Sequence, residues 1–152
     1  MTEEQTGYML LALTEAERAA ARGEVPVGAV IIDPNAQSVV AAEGNRIVER
    51  HDPTAHAELI AIQTACRRVG SERLKGLDLY VTLEPCPMCA GAAWLARVER
   101  VVFGADDLKA GALSSLYNLG ADPRLNHEFE VTPRVRETEC AELLVNFFAA
   151  KR

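Results

Sequence analysis

Leu77-Asp78-Leu79-Tyr80-Val81-Thr82-Leu83-Glu84-Pro85-Cys86-Pro87-Met88-Cys89 decides the fold of this chain. Residues 77–83 form a mostly apolar run of strand length, as expected of a buried strand. Pro87 suits the first turn of a helix, where its missing N–H costs nothing, and that helix extends to about residue 96. Residues 98–103 read as the next strand. A strand–helix–strand unit of this kind favours parallel neighbours with a right-handed crossover. Cys86 and Cys89, three apart in the first helical turn, can converge on one metal from the same side.

Working outward, Met9, Leu10, Leu13, Ala16 and Ala20 recur at helical spacing in a first helix over residues 6–22, with Gly23 as its stop. Residues 27–32 are a short apolar run, and Asp33-Pro34-Asn35 turns it toward a hairpin partner at 38–42. Asp52-Pro53-Thr54 opens a second helix running to about 69, followed by Gly70. A shorter helical piece is expected near 113–119, a last strand at 128–131 and a closing helix over 136–149. Strands alternating with helices after a hairpin predict an α/β fold, a three-layer α/β/α sandwich around a five-stranded mixed sheet.

The chain has 152 residues, of which 49% are apolar and 25% charged, ordinary values for one globular domain spanning 1–152. No stretch is long and apolar enough to cross a membrane, and the acidic start Met1-Thr2-Glu3-Glu4-Gln5 lacks the basic region of a secretion signal. A cytoplasmic location is therefore expected. The net charge of −6 means that nucleic-acid binding cannot be inferred from composition, although a local basic patch is compatible with it. Four cysteines do not imply disulfides in such a setting. Cys86 and Cys89 have metal spacing, whereas Cys66 and Cys140 lie among apolar residues of expected helices and read as core.

His56-Ala57-Glu58 stands thirty residues before Cys86. One imidazole and two thiolates suit a zinc ion that keeps its fourth position for water, as hydrolytic sites do; structural sites normally use four protein ligands. Glu58 then reads as a proton carrier for that water rather than as a ligand. Two positions apart, His56 and Glu58 diverge on a mid-helix surface, but both reach one site if the helix begins there and points at it. The alternative is a closed zinc clip with His51 or another cysteine as fourth ligand, with Glu58 a solvated acid of the first turn. Glu84 reads as structural, holding its loop by hydrogen bonds.

Set in their context, these motifs carry a resemblance. Asn45-Arg46-Ile47-Val48-Glu49-Arg50-His51-Asp52-Pro53-Thr54-Ala55-His56-Ala57-Glu58, Tyr80 through Ala92 and Val101-Val102-Phe103-Gly104-Ala105 together closely resemble the bacterial tRNA-specific adenosine deaminases, of the cytidine-deaminase-like superfamily. The similarity runs from Val25-Pro26-Val27-Gly28-Ala29 to Cys140 and Phe147-Phe148. It implies conversion of adenosine to inosine at the wobble position of a tRNA anticodon, one Zn²⁺ per subunit, a homodimer and binding of an anticodon stem-loop. By position it makes His56, Cys86 and Cys89 the zinc ligands and Glu58 the catalytic proton shuttle. It makes Asn45 the amide that contacts the target nucleoside, and it puts Val27, Ala57, Leu83, Asp107, Lys109 and Phe148 among the substrate-binding residues. On its own, Asn45 reads equally as a turn residue after Gly44.

Two features depart from that pattern. Asp106 sets two acids side by side on the expected RNA path, and the tail ending Lys151-Arg152 is only weakly basic. Arg46, Arg50, Lys109, Arg124, Lys151 and Arg152 are the basic candidates. Two rivals follow: a deaminase of a free base or nucleoside of guanine or cytosine type on the same fold, which an acidic chain favours, and a non-catalytic zinc-stabilised RNA-binding module, against which Glu58 speaks.

Overall fold

The computed structural model describes residues 1–151, which run as α1 (Glu3–Ala21), β1 (Gly28–Asp33), β2 (Ser38–Gly44), α2 (Ile47–Arg50), α3 (Ala57–Val69), β3 (Asp78–Leu83), α4 (Pro87–Ala96), β4 (Arg100–Ala105), β5 (Glu130–Thr132) and α5 (Glu137–Ala150). The five strands form one mixed sheet in the order β2-β1-β3-β4-β5. β1 is antiparallel to β2 and to β3, whereas β3, β4 and β5 are parallel.

Alternation along the central strands divides the core in two. Ala29, Ile31, Leu79, Val81, Val101 and Phe103 face α3 and α4. Val30, Ile32, Tyr80 and Val102 face Met9, Ala12 and Leu13 of α1 and Cys140 of α5. Both faces are covered, so the expected three-layer arrangement holds. At Gly28 a Cβ would lie 2.0 Å from the Ala12 carbonyl oxygen, so only glycine lets α1 approach β1 this closely.

Several expected boundaries differ. α1 starts three residues early because the Thr2 hydroxyl accepts from the Gln5 N–H while the Gln5 side chain accepts from the Thr2 N–H, a reciprocal capping box. The helix expected from Asp52 opens only at Ala57. Asp52 turns the chain instead, its carboxylate accepting from the Thr54 N–H at 2.8 Å and from the Thr54 hydroxyl at 2.7 Å. α2, a single turn, was not expected. Residues 113–119 are turns rather than a helix, because a buried carboxylate claims their backbone N–H groups. Cys140 is buried as expected, and Cys66 is half-buried against the core.

Asp78 is 3% exposed, 3.8 Å from Arg100 and near Glu99 and Glu130. Burial pushes its carboxyl up to about 6. A folded pKa above the unfolded one means that the stability this group lends is complete below its unfolded value near 4 and is lost as pH rises through 6. Between pH 5 and 7.5 the wild type should therefore lose roughly 1–2 kcal/mol relative to Asp78→Asn. Denaturant unfolding of both proteins at the two pH values measures this, and an unchanged difference between them would refute the assignment.

Candidate active site

α3 and α4 begin at residues whose side chains do not cap them. The N-cap of α3 is His56 and that of α4 is Cys86, and neither makes the usual side-chain bond to its own helix. Their side chains turn toward each other. His56 Nδ1 lies 3.7 Å from Cys86 Sγ and 3.6 Å from Cys89 Sγ. The missing cap of α3 comes from Asn45, whose Oδ1 accepts the Ala57 N–H at 2.8 Å. Its Nδ2 donates to the Val25 carbonyl at 3.2 Å. Asn45 thus bridges the strand end and the helix that carries His56 and Glu58.

The donor set fits zinc. The three ligand atoms lie within 4.8 Å of one another. Tetrahedral bonds of about 2.1 Å to nitrogen and about 2.3 Å to sulfur would set the two atoms roughly 3.6 Å apart, the separation found. Neither His51, Cys66 nor Cys140 joins the cluster, so among the described residues the closed four-ligand clip lacks its fourth member. Hydrogen bonding from the Cys89 thiol, with help from His56, pulls Cys86 down to about 4. The same contact and burial push Cys89 upward. His56 is raised, chiefly by its contact with Cys86. Two sulfurs and an imidazole nitrogen brought this close, with Cys86 biased toward its thiolate, form a donor set suited to a cation.

Glu58 lies beside this cluster, not in it. It is 4% exposed, and its carboxyl meets the Cys89 thiol. Burial pushes it up to about 7, while the nearby imidazole works in the opposite direction. A carboxyl so poised can take and return a proton near neutral pH. His56 and Glu58 share one target because α3 points its first turn at the site.

A cavity of about 190 Å³ opens onto the cluster, lined by Val25, Val27, Asn45, Ile47, His56, Glu58, Leu83, Glu84, Cys86 and Asp107. Val27, Asn45, Leu83 and Asp107 are thus gathered around the metal ligands. Ala57 is not among the lining residues: its side chain is in the core and its N–H is spent on Asn45. Val25 and Ile47 also line the cavity, beyond the residues the sequence marks. Both lie inside the segments quoted above, but as small apolar residues they carry no chemical signal of their own.

Glu84, 1% exposed, holds the opposite wall. Its carboxylate accepts from the N–H groups of Asp107, Leu113, Ser114 and Ser115 at 2.8–3.1 Å and from the Ser115 hydroxyl. Burial works against its charge, but these donors outweigh it and lower its pKa. A Cβ at Gly111 would fall 2.3 Å from this carboxylate, so the loop closes on Glu84 only with glycine there.

Lys109 and Phe148 stand apart from the cavity. They share a surface groove of about 600 Å³ with Leu144, Val145, Ala149 and Lys151. Asp107 connects the two places, since its Oδ1 accepts the Lys109 N–H at 3.0 Å. Asp106 is paired with Arg134 at 3.2 Å, which offsets its charge beside Asp107. Arg46 and Arg124 are engaged by Glu49 at 2.9 Å and by Asp122 at 2.6 Å. Arg152 lies outside the described residues.

Comparison with known proteins places this geometry. Residues 2–105 match the cytidine and deoxycytidylate deaminase zinc-binding region. The tRNA-specific adenosine deaminase of Agrobacterium fabrum (strain C58) is 48% identical over 149 residues, covering 98% of this chain and 97% of that one. A solved structure from a study of A-to-I editing by tRNA:A34 deaminases at the wobble position of transfer RNA is 47% identical, with a TM-score of 0.86 over 91% of this chain and 99% of that one. A guanine deaminase structure from Bacillus subtilis is 30% identical, with a TM-score of 0.62 over 76% of this chain and 82% of that one.

Proposed function

This chain belongs to the tRNA-specific adenosine deaminases, within the zinc-binding deaminase family, and on that premise we propose that it converts adenosine to inosine at the wobble position of a tRNA anticodon. The observation that carries the mechanism is the position of Glu58, buried against a three-ligand cluster but outside it. Bound zinc supplies an acidified water and a Lewis-acid centre. His56, Cys86 and Cys89 would hold the ion, and the two thiolates would offset its charge.

Glu58 takes a proton from the attacking water and passes it to the ring nitrogen beside the amino-bearing carbon. It then takes the remaining proton from the hydroxyl added to that carbon and delivers it to the amine, the C–N bond breaking as the C=O forms, so that adenosine and water become inosine and ammonia. One carboxylate acts as base and then as acid. The cavity of about 190 Å³ is smaller than a typical ligand pocket, which suits one splayed-out base with the rest of the nucleic acid outside. Val27 and Leu83 supply its apolar sides. Asn45 has one amide proton beyond its two structural bonds to offer the nucleoside. Asp107, Lys109 and Phe148 extend the contact toward the anticodon loop.

The reading includes one deaminase domain over residues 1–152, a homodimer, and a cytoplasmic location alongside its substrate. Among the described residues, no helix is long and apolar enough to cross a membrane.

An anticodon stem-loop carrying adenosine at the wobble position tests the proposal. Nucleoside mass spectrometry should detect inosine from the stem-loop and no turnover of free adenine, guanine or cytosine. Turnover of a free base without the stem-loop would instead favour the free-base reading. Zinc bound without turnover of either would leave a non-catalytic module.

A further inference from the structure

We propose that Glu24 is a positioning residue that latches one wall of the substrate cavity and so governs substrate affinity; the proposal rests on the functional reading above. Glu24 is 1% exposed and makes no ion pair among the described residues. Its Oε1 accepts the Val48 N–H at 3.0 Å and its Oε2 accepts the Glu49 N–H at 2.8 Å.

These donors are the second and third residues of α2, a helix of four residues whose own N-cap, Arg46, makes no side-chain cap. An isolated single turn does not sustain itself in water. The carboxylate, twenty-four residues away in sequence from Val48, supplies the missing cap and a favourable charge at the positive helix end.

α2 begins with Ile47, and Ile47 lines the cavity together with Val25, the residue after Glu24. The segment closes on itself behind that wall. The Arg46 N–H donates to the Ala55 carbonyl at 3.0 Å and the Asp52 N–H to the Ile47 carbonyl at 3.1 Å. Its outer side, including Val48 and His51, is exposed. What fixes it on the inner side is Glu24.

Burying a carboxylate with no cation is costly, and here the visible return is the placement of α2. His56, Glu58, Cys86 and Cys89 are held separately, by α3, α4 and the Asn45 cap. None of them bonds to Glu24. Releasing the latch should thus move Ile47 without unseating the proton carrier or the metal ligands.

Glu24→Gln preserves volume but offers only one acceptor, and its amide group faces one of the two N–H donors. In the zinc-loaded protein it should speed hydrogen exchange at the Val48 and Glu49 amides. It should raise KM for the stem-loop about tenfold, the scale of one buried hydrogen bond left unmade, while kcat stays within about threefold. Zinc content should not change. If Glu24→Gln fails to fold, Ile47→Ala tests the wall directly and should raise KM with kcat kept.

Faster exchange with an unchanged KM would overturn the proposal, because Glu24 would then be merely structural. Loss of zinc with a fall in kcat would also overturn it, by assigning Glu24 to the metal site. An unaltered protein that makes no inosine would defeat the functional reading alone, and exchange at Val48 and Glu49 would still decide whether the latch exists.

Discussion

Glu58→Ala is expected to keep one zinc per chain and to lose about 10²–10⁴-fold in inosine formation, the usual contribution of a positioned proton carrier. The three ligand atoms come from His56, Cys86 and Cys89, and Glu58 is outside that set, so its removal leaves the donors intact. Shortening a fully buried side chain also leaves a gap, which confuses a catalytic loss with a structural one. Glu58→Gln separates them, since it keeps the volume and a polar contact to the Cys89 thiol but cannot carry a proton between water and substrate. Metal analysis and stopped-time inosine assays on both variants decide the matter. Zinc loss in Glu58→Ala would make Glu58 a metal-site residue. More than roughly a tenth of wild-type activity in Glu58→Gln would remove it from the proton path.

The parts of this fold that were legible in the sequence are those where one local signal sufficed. Pro87 at the first turn of α4 and the apolar runs on either side placed β3, α4 and β4 to within two residues. The metal cluster was legible because its spacing is chemical: two cysteines one turn apart and a histidine two residues before an acid. Local patterns failed wherever distant side chains claim the backbone. Residues 113–119 carry Leu113, Leu116 and Tyr117 at helical spacing, but Glu84 takes the N–H groups of Leu113, Ser114 and Ser115. Asp52 looks like a helix opener because turns and N-caps use the same side-chain bond, and here the turn takes it. The cap of α3 comes from Asn45 and that of α2 from Glu24, twelve and twenty-four residues away from the N–H groups they accept. No window of helix-cap length contains those pairs. The resemblance drew attention to Asn45, but its hold on Ala57 became visible only in the fold.

Cys86→Ala is expected to abolish stoichiometric zinc binding and to lower the midpoint of thermal unfolding by about 10 °C. Two of three protein ligands would remain, and His56 would lose the contact that chiefly raises its pKa. Zinc binds the folded chain, because only folding brings His56 within reach of two cysteines thirty or more residues away. Its binding free energy is therefore stability. A ligand present at a thousandfold its dissociation constant contributes about 4 kcal/mol, and in a chain of this size each kcal/mol is worth about 2–4 °C. The thiol itself packs only half-buried at the head of α4, so most of the loss should be metal rather than contact. A chelator separates the two. It should bring the wild type down to nearly the midpoint of Cys86→Ala and leave the variant where it was, with metal analysis reporting near-zero zinc in both. A variant that retained a full zinc equivalent would show that Cys86 is dispensable as a ligand. A chelator-treated wild type that stayed well above the variant would instead assign the loss to packing at the start of α4.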